Sequence, residues 1–237
     1  MEYPRSIEAL PRSNRASIAA ASALVALTAA SLVLPAPVPC GALARNYKPL
    51  IAFELARTTD DLHAIFGPSP SACRASLVAA LDRVNVADVV AFIPAYTLFL
   101  CAWLLARRAH APRAAGLGVA LSLVAACGDL FENVCMFSLT TRLDAPSVFL
   151  SLLPWATALK WLSLAVVAGL VAVVLASTRP PRWLAALLHL PALVVTSLAI
   201  ARPSSWGFAI VQGITLSWLT MLVVAIVDEL RARRREA

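Results

Sequence analysis

The chain has 237 residues, of which 60% are hydrophobic and 14% charged, and its formal net charge is +7 at pH 7. A water-soluble domain of this length could not cover so much apolar side chain with polar surface, so we expect lipid to surround most of the chain. The arginines stand in short clusters between apolar runs, where they set membrane orientation, and we therefore expect no nucleic-acid partner.

Six apolar stretches are long enough to cross a bilayer, which takes about 20 residues in a helix. They are residues 16–38, 86–105, 114–139, 148–176, 183–201 and 207–227. The sequence therefore predicts an all-α fold, a polytopic transmembrane helix bundle with six spans and a short helical extracytoplasmic loop. The predicted order is an N-terminal tail (1–15), the first helix (16–38), the loop (39–84), a five-helix region (85–228) and a basic C-terminal tail (229–237).

The distribution of arginines predicts the orientation. One side of the membrane collects the arginines before the first span and after the second, fourth and sixth spans. Beyond the first loop, the other side has only the single arginines Arg142 and Arg202. Because positively charged loops stay in the cytoplasm, both termini are expected there, which requires an even number of spans. The predicted location is the inner (plasma) membrane, with the lipid bilayer as partner.

The first span has a second interpretation. Arg12 and Arg15 stand before the apolar run 18–34, and this order is also typical of a secretory signal peptide. Cleavage would leave five spans. Prolines crowd the small-residue positions of segment 35–40, where cleavage would have to occur, so we favour an uncleaved first helix.

The loop over 39–84 is expected to contain short helices. Thr58 can cap a helix whose third residue is Asp61, an acidic variant of the capping box, and Gly67 supplies the stop. The apolar residues of this helix share one face, which favours packing on the bundle over lying on the membrane surface. Ser71 is the predicted cap of a second helix that leads into the second span.

The five cysteines fall into two groups. Cys40 and Cys73 share the outer loop, where an oxidising compartment is expected, so a disulfide between them is a hypothesis. The two can also remain free thiols. Cys101, Cys127 and Cys135 lie inside spans and are interpreted as small apolar fillers.

Four ionisable residues fall in or near the spans. A charge at the bilayer centre costs about 2.5 to 3.5 kcal/mol even on insertion scales, so such residues need partners or water. Asp129 and Glu132 lie in the third span, Lys160 in the fourth, and Asp88 near the outer end of the second. The two carboxylates and Asn133 belong to a stripe of small and polar residues at three- and four-residue steps, which should face the bundle interior.

Asp129 and Lys160 are expected at the same depth. Asp129 lies thirteen residues before Arg142, and Lys160 lies thirteen after Ser147, on the two arms of one hairpin. Each is therefore roughly 20 Å along its helix from the connecting turn. An ion pair of Lys160 with Asp129 or Glu132 would satisfy all three groups. The excess negative charge would then require either a proton on one carboxyl group or a wet cavity that includes Asp88 and Asn133.

Asp88 has two interpretations. It lies five residues beyond Arg83, which favours a position at the membrane interface. Phe92 and Tyr96 continue the same helical face inward, which would suit the wall of a pocket. In that arrangement Tyr96 is a candidate hydrogen-bond partner for a buried carboxylate.

We expect no metal and no cofactor. Aspartate and glutamate three residues apart could bind a metal, but such sites usually add histidine, and His63, His110 and His189 fall in an outer loop, an inner loop and the fifth span. The chain also has no zinc-type cysteine spacing, no glycine-rich phosphate loop and no Gly-x-Ser-x-Gly elbow.

Three short segments carry a resemblance. They are Phe53-Glu-Leu-Ala56, Asp88 with Tyr96-Thr-Leu-Phe99, and Asp129-Leu-Phe-Glu-Asn133. Together they resemble a pattern in uncharacterised bacterial multi-pass membrane proteins. The resemblance covers residues 49–139 and implies a bacterial origin, and no known activity is attached to the pattern.

Three classes of function remain open. A non-catalytic protein that binds a small or lipid-like ligand in the bundle, or partner helices as in a homo-oligomer, is ranked first. A transporter or proton-coupled carrier, ranked second, would use the cluster of Asp, Glu and Lys as a switch near the midplane. An intramembrane enzyme, ranked last, would use the carboxylates as acid and base on a lipid-like substrate. The charges could also be purely structural and set the helix register.

Overall fold

The computed structural model describes residues 9–33, 38–43, 47–67, 72–145 and 147–236. Within these ranges every regular element is a helix, which confirms the all-α prediction. The predicted helix cap at Ser71 lies outside the described residues.

Five helical segments of the described residues are long and apolar enough to cross a membrane, with mean hydropathies of 1.8 to 2.3. In the first of them, α4 (Ala72–Ala87) continues through a π-helical turn (Asp88–Phe92) into α5 (Ile93–Ala106). The next two are α6 (Pro112–Thr140) and α7 (Val148–Ala176). The fourth combines α8 (Trp183–Leu187) with α9 (Leu190–Ala201), and the fifth combines α10 (Pro203–Trp206), a 3₁₀ turn (Gly207–Ala209) and α11 (Ile210–Glu236). These are the helices of a multi-pass membrane protein.

The first helix, α1 (Ala9–Val33), packs along α5 and α11. Its small residues Ala20 and Ala21 are buried, which lets the helix backbones approach closely. The start of α1 lies beside the ends of both neighbours: Asn14 accepts a hydrogen bond from Arg107, just after α5, and donates one to the carbonyl of Ala225 in α11. The helix therefore runs antiparallel to α5.

Two prolines lie next to irregular points in the membrane-spanning helices. The predicted span 183–201 is broken at a turn of Leu188 and His189, because Pro191 cannot donate a backbone hydrogen bond and crowds the preceding turn. In the first of the five segments, Pro94 follows a π-helical turn in which the N–H of Ile93 bonds to the carbonyl of Asp88. α4 begins at Ala72 and runs without interruption into this turn.

The loop before α4 folds onto the bundle as two short helices, α2 (Pro49–Glu54) and α3 (Thr59–Phe66). Thr58 and Asp61 form a capping box at the start of α3, and Gly67, with φ of 80°, ends it. Apolar residues of α2 and α3 share a buried core with α6 and α7. Its members include Phe53, Leu62, Phe66, Met136, Leu139 and Leu153.

Side-chain contacts distinguish the two ends of the bundle. At the loop end, Tyr47 before α2 donates to the carbonyl of Pro203 at the start of α10. At the opposite end, which we call the basic end, the start of α1, the α5–α6 and α7–α8 connections and the end of α11 meet through ion pairs and hydrogen bonds. The start of α1 and the end of α11 thus lie at the same end of the bundle.

Candidate functional site

Lys160 lies at the centre of a buried group of acidic residues. Its Nζ donates a short hydrogen bond to Glu132 and lies 3.0 Å from Asp129 Oδ1 and 3.4 Å from Glu54 Oε2. Glu132 is fully buried and Lys160 is 6% exposed. We use the name carboxylate cluster for Lys160 and the four acidic residues Glu54, Asp88, Asp129 and Glu132.

A close approach of α6 and α7 positions the centre of this cluster. A Cβ atom at Gly128 would lie 2.8 Å from the backbone nitrogen of Lys160 and 3.2 Å from its Cα. Only a residue without a side chain therefore allows the two backbones to pass at this level. Asp129, which follows Gly128, is thereby held level with Lys160.

Two further side chains connect the cluster to α5 and to the π-helical turn before it. The hydroxyl of Tyr96 in α5 donates to Asp129 Oδ2 at 3.1 Å. Asn133 Nδ2 donates to Asp88 Oδ2 at 2.7 Å and to the backbone carbonyl of Asp129 at 3.0 Å. Asp88 itself is only partly buried and begins the π-helical turn. π-Helical turns inside α-helices are frequent at functional sites.

Glu54 is the member of the cluster that the sequence interpretation missed as a site residue. It comes from the last position of α2 in the loop, and Trp161 Nε1 donates to its Oε2 at 2.9 Å. The hydroxyl of Thr157 donates to its backbone carbonyl at 2.7 Å. Burial raises the pKa of Glu54, and the nearby Lys160 partly opposes that rise. A signal was present in the sequence, since Glu54 is the one ionisable residue in the apolar run 49–56.

The charges of the cluster do not balance. Four carboxylates face one ammonium group, so full ionisation would give a net charge of −3 in a buried environment, where each uncompensated charge is costly. Several polar atoms are buried without a hydrogen-bond partner among the described residues. They are Glu132 Oε2, Asn133 Oδ1 and both amide atoms of Asn85, which lies one turn before Asp88. Chemically, such a site can take up protons or a small cation.

An aromatic wall borders the cluster on the α5 side. Phe92, Tyr96 and Phe99 pack against Trp218 of α11 with ring centroids 5.6 to 6.4 Å apart, and the Tyr96 and Trp218 rings are stacked. The stacking on Trp218 holds the ring of Tyr96, whose hydroxyl donates to Asp129.

Histidines take no part in the cluster. His189 is buried and its Nδ1 lies 2.6 Å from the hydroxyl of Ser217, while His63 lies in α3 and His110 in the connection between α5 and α6. The described residues contain no group of three or more histidine, cysteine, aspartate or glutamate side chains arranged to bind a metal ion.

The structure brings Cys40 and Cys73 together at the loop end. Their sulfur atoms lie at bonding distance, which links the segment before α2 to the start of α4. Beside them, Arg74 donates two hydrogen bonds to Asp144, at 2.7 and 2.9 Å, and His63 lies 3.0 Å from the same carboxylate. The Arg74 guanidinium, followed by His63, lowers the pKa of Asp144.

A second charged group lies at the basic end. Asp228 near the end of α11 accepts hydrogen bonds from Arg107, at 2.8 Å, and from Arg182. Arg107 is buried, and its guanidinium lies 4.2 Å from the centre of the Trp103 ring. The sequence interpretation used Arg107 and Arg182 only as orientation signals and did not predict their shared carboxylate.

The fold and the cluster define the class of this chain: a multi-pass helical membrane protein with a buried, acid-rich polar centre. Comparison with known proteins adds no narrower group. No protein-family model matches the chain, and neither the curated proteins nor the solved structures include a significant match. Any argument about function therefore depends on the geometry.

Proposed function

We propose that this protein crosses the inner (plasma) membrane six times, and that its carboxylate cluster binds a small cationic ligand in exchange for protons. On this proposal the protein is non-catalytic. The observation that carries it is the excess of three carboxylates over the single ammonium group of Lys160. A purely structural ion pair would need one carboxylate, and each additional one destabilises a buried site unless a proton or a cation compensates it.

The positions of the termini support six spans with both ends in the cytoplasm. The start of α1 lies at the same end of the bundle as the end of α11, beside Ala225 and Glu229. With five candidate spans after it, α1 must then cross as well. The arginine-rich connections at this end agree with a cytoplasmic orientation.

Fusion reporters and thiol labelling test this orientation. A reporter fused after Arg235 is expected to report the cytoplasm. Cys40 and Cys73, proposed to be a disulfide outside the cytoplasm, should react with a membrane-impermeant maleimide in intact cells only after reduction. An external C-terminus would contradict the six-span arrangement, and labelling without reductant would contradict the disulfide.

The burial of the acidic residues supports access from the loop end. Asp88 is partly exposed, whereas Asp129, Glu132 and Lys160 are buried deeper. Asn133 connects the two levels, since its amide donates to both Asp88 and the backbone of Asp129. A proton or cation would therefore reach Asp88 first and then Asp129.

Proton release measured in weak buffer tests the exchange. The full chain in neutral-lipid nanodiscs is titrated with methylammonium chloride, and a pH-indicator dye reports released protons, with choline chloride as the control for ionic strength. The wild type should release protons, and Asp88→Asn and Asp129→Asn should release fewer. Asp60→Asn, a change at an exposed loop residue, should match the wild type.

Two results would contradict the proposal. One is a wild-type protein that releases no protons on addition of methylammonium. The other is equal release from the wild type and Asp88→Asn, since the protons would then come from elsewhere on the chain.

A proton-coupled carrier is the second candidate, and interruptions in two spans favour it. The π-helical turn at Asp88–Phe92 borders the cluster, and the span formed by α8 and α9 is broken between these two helices. Carriers often use interrupted helices at their substrate sites. Uptake of radiolabelled methylammonium into proteoliposomes, driven by a pH gradient and lost in Asp129→Asn, would support a carrier, whereas binding without uptake would support the first candidate.

A further inference from the structure

A cavity of about 240 Å³ opens at the basic end, and none of its lining residues belongs to the carboxylate cluster. It lies where α1, the α5–α6 connection, the segment before α8 and the end of α11 meet. The polar residues that line it are Asn14, Arg107, His110, Arg182, Asp228 and Glu229. It is separate from the carboxylate cluster, where the proposed cation exchange takes place.

Two arginines and two acidic residues line the cavity, and Asp228 pairs with both arginines. Glu229, the second acidic residue, pairs with Arg15 and Arg233, whose side chains are largely exposed and do not line the cavity. Because Glu229 is compensated from outside, the guanidinium groups of Arg107 and Arg182 face the single carboxylate of Asp228, which leaves an excess of positive charge that an anion would balance.

His110 lines the same cavity as Arg107 and Arg182, and its pKa responds to their charge. Burial and the nearby guanidinium groups of Arg107 and Arg182 lower this pKa, and Asp228 opposes the shift only partly. The imidazole therefore tends to be neutral while the cavity holds no anion.

Arg107 gives an independent indication of a ligand. Its side chain is 4% exposed, yet its Nε atom has no hydrogen-bond partner among the described residues. A buried guanidinium N–H without a partner is costly, and an oxygen-rich anion would satisfy it. Arg182 adds to this, because its two hydrogen bonds to Asp228 leave other N–H donors of a five-donor guanidinium group.

We propose that this cavity binds a phosphate group, supplied either by the headgroup of an anionic lipid or by free phosphate. Planar guanidinium groups suit phosphate oxygens, and basic pockets between membrane helices are known to receive phosphate headgroups. Asp228 and Glu229 also line the cavity, and their carboxylates repel a phosphate. Asp228 therefore competes with phosphate for Arg107 and Arg182.

This competition makes the variants informative. Arg182→Gln should weaken phosphate binding by about tenfold, the effect of losing one charge-assisted contact. Asp228→Asn should tighten phosphate binding, because it removes the competing charge while the guanidinium groups stay. Arg108→Gln, at an exposed arginine that does not line the cavity, is the matched control and should leave binding unchanged.

The experiment uses the full chain in nanodiscs of pure phosphatidylcholine and in nanodiscs that also contain phosphatidylglycerol. Inorganic phosphate is titrated into the former, and the pKa of His110 is followed by the NMR signal of its ring. Bound phosphate should raise this pKa, because a nearby anion stabilises the imidazolium. Native mass spectrometry then counts the lipids that remain bound after release from the phosphatidylglycerol nanodiscs.

The two arms distinguish the sources. Retention of phosphatidylglycerol by the wild type but not by Arg182→Gln identifies a lipid headgroup. A response to inorganic phosphate without selective retention of lipid identifies free phosphate. No response in either arm, an equal loss in Arg108→Gln and Arg182→Gln, or weaker binding by Asp228→Asn would overturn the proposal.

Discussion

The two charged regions of this protein have opposite imbalances. In the carboxylate cluster, three acidic residues contact Lys160 and a fourth, Asp88, is linked to them through Asn133, so the minority charge is positive. At the basic end, four arginines surround two acidic residues, and the minority charge is negative. The cluster is also more deeply buried, since Glu132 is fully buried whereas the side chain of Asp228 is 27% exposed.

In each region the stability of the fold depends most on the minority charge. Removal of a majority charge reduces an existing imbalance, whereas removal of a minority charge increases it. The effect should be larger in the cluster, because solvent screens the basic end more strongly. Mutations can therefore test both the sign and the size of this difference.

The largest effect is expected for Lys160→Met. This change leaves buried carboxylates without their cation, and breaking a buried ion pair in this way costs about 3 to 5 kcal/mol. Thermal unfolding and folded yield in detergent measure the loss. Adding Glu132→Gln should restore part of the stability, and a double-mutant cycle that gives additive losses would show that the two residues do not interact.

The corresponding change at the basic end, Asp228→Asn, should have a smaller effect of about 2 kcal/mol. It leaves the buried Arg107 without its carboxylate, although partial exposure lets water compensate. Unfolding temperatures in phosphate-free buffer provide the measurement, with Asp60→Asn as an exposed control. A loss as large as that of Lys160→Met would contradict the ranking of the two regions.

Gly128→Ala tests the geometry of the cluster without changing any charge. The added Cβ would lie 2.8 Å from the backbone of Lys160, so α6 and α7 must move apart, and overpacking of this kind costs about 1 to 3 kcal/mol. Gly116→Ala in the same helix is the matched control, because a Cβ there meets nothing within 4 Å. Equal unfolding temperatures for the two variants would argue against the close approach of the helices.

Glu54→Gln should change stability by less than about 1 kcal/mol. The amide oxygen can still accept the hydrogen bond of Trp161, and the change removes one of the majority charges. Glu54→Ala loses that hydrogen bond and should be clearly less stable than Glu54→Gln in the same unfolding assay. A large loss in Glu54→Gln alone would mean that its negative charge is needed to balance Lys160.

The smallest effect is expected for Asp144→Asn at the loop end, because the Asp144 side chain is 48% exposed, although that of its partner Arg74 is buried. The pKa of Asp144 is lowered in the folded protein, so its contribution to stability is present above the unfolded-state pKa of about 4 and is lost as the pH falls through the folded value. The difference in unfolding temperature between Asp144→Asn and the wild type should therefore shrink below about pH 4. A difference that does not change between pH 3 and pH 7 would exclude this ion pair as its cause.

The membrane class, the helical fold and the depth of the charged residues along their helices could all be predicted from the sequence. An apolar run of sufficient length must span as a helix, because lipid offers no hydrogen bonds to its backbone. Because each residue of a helix adds a fixed rise, Asp129 and Lys160 were expected at the same depth on the two arms of one hairpin. In the structure the two side chains are in contact.

The residues that join Asp129 and Lys160 from distant parts of the chain could not be predicted in this way, because their positions depend on tertiary packing. Glu54 reaches Lys160 because α2 and α3 bury apolar side chains against α6 and α7, and no helical period predicts where such a loop will pack. Asp228 meets Arg107 for the same reason, since the contact depends on how α11 packs beside α5. Local geometry along a helix can be read from residue spacing, whereas contacts between helices depend on the packing of many side chains at once.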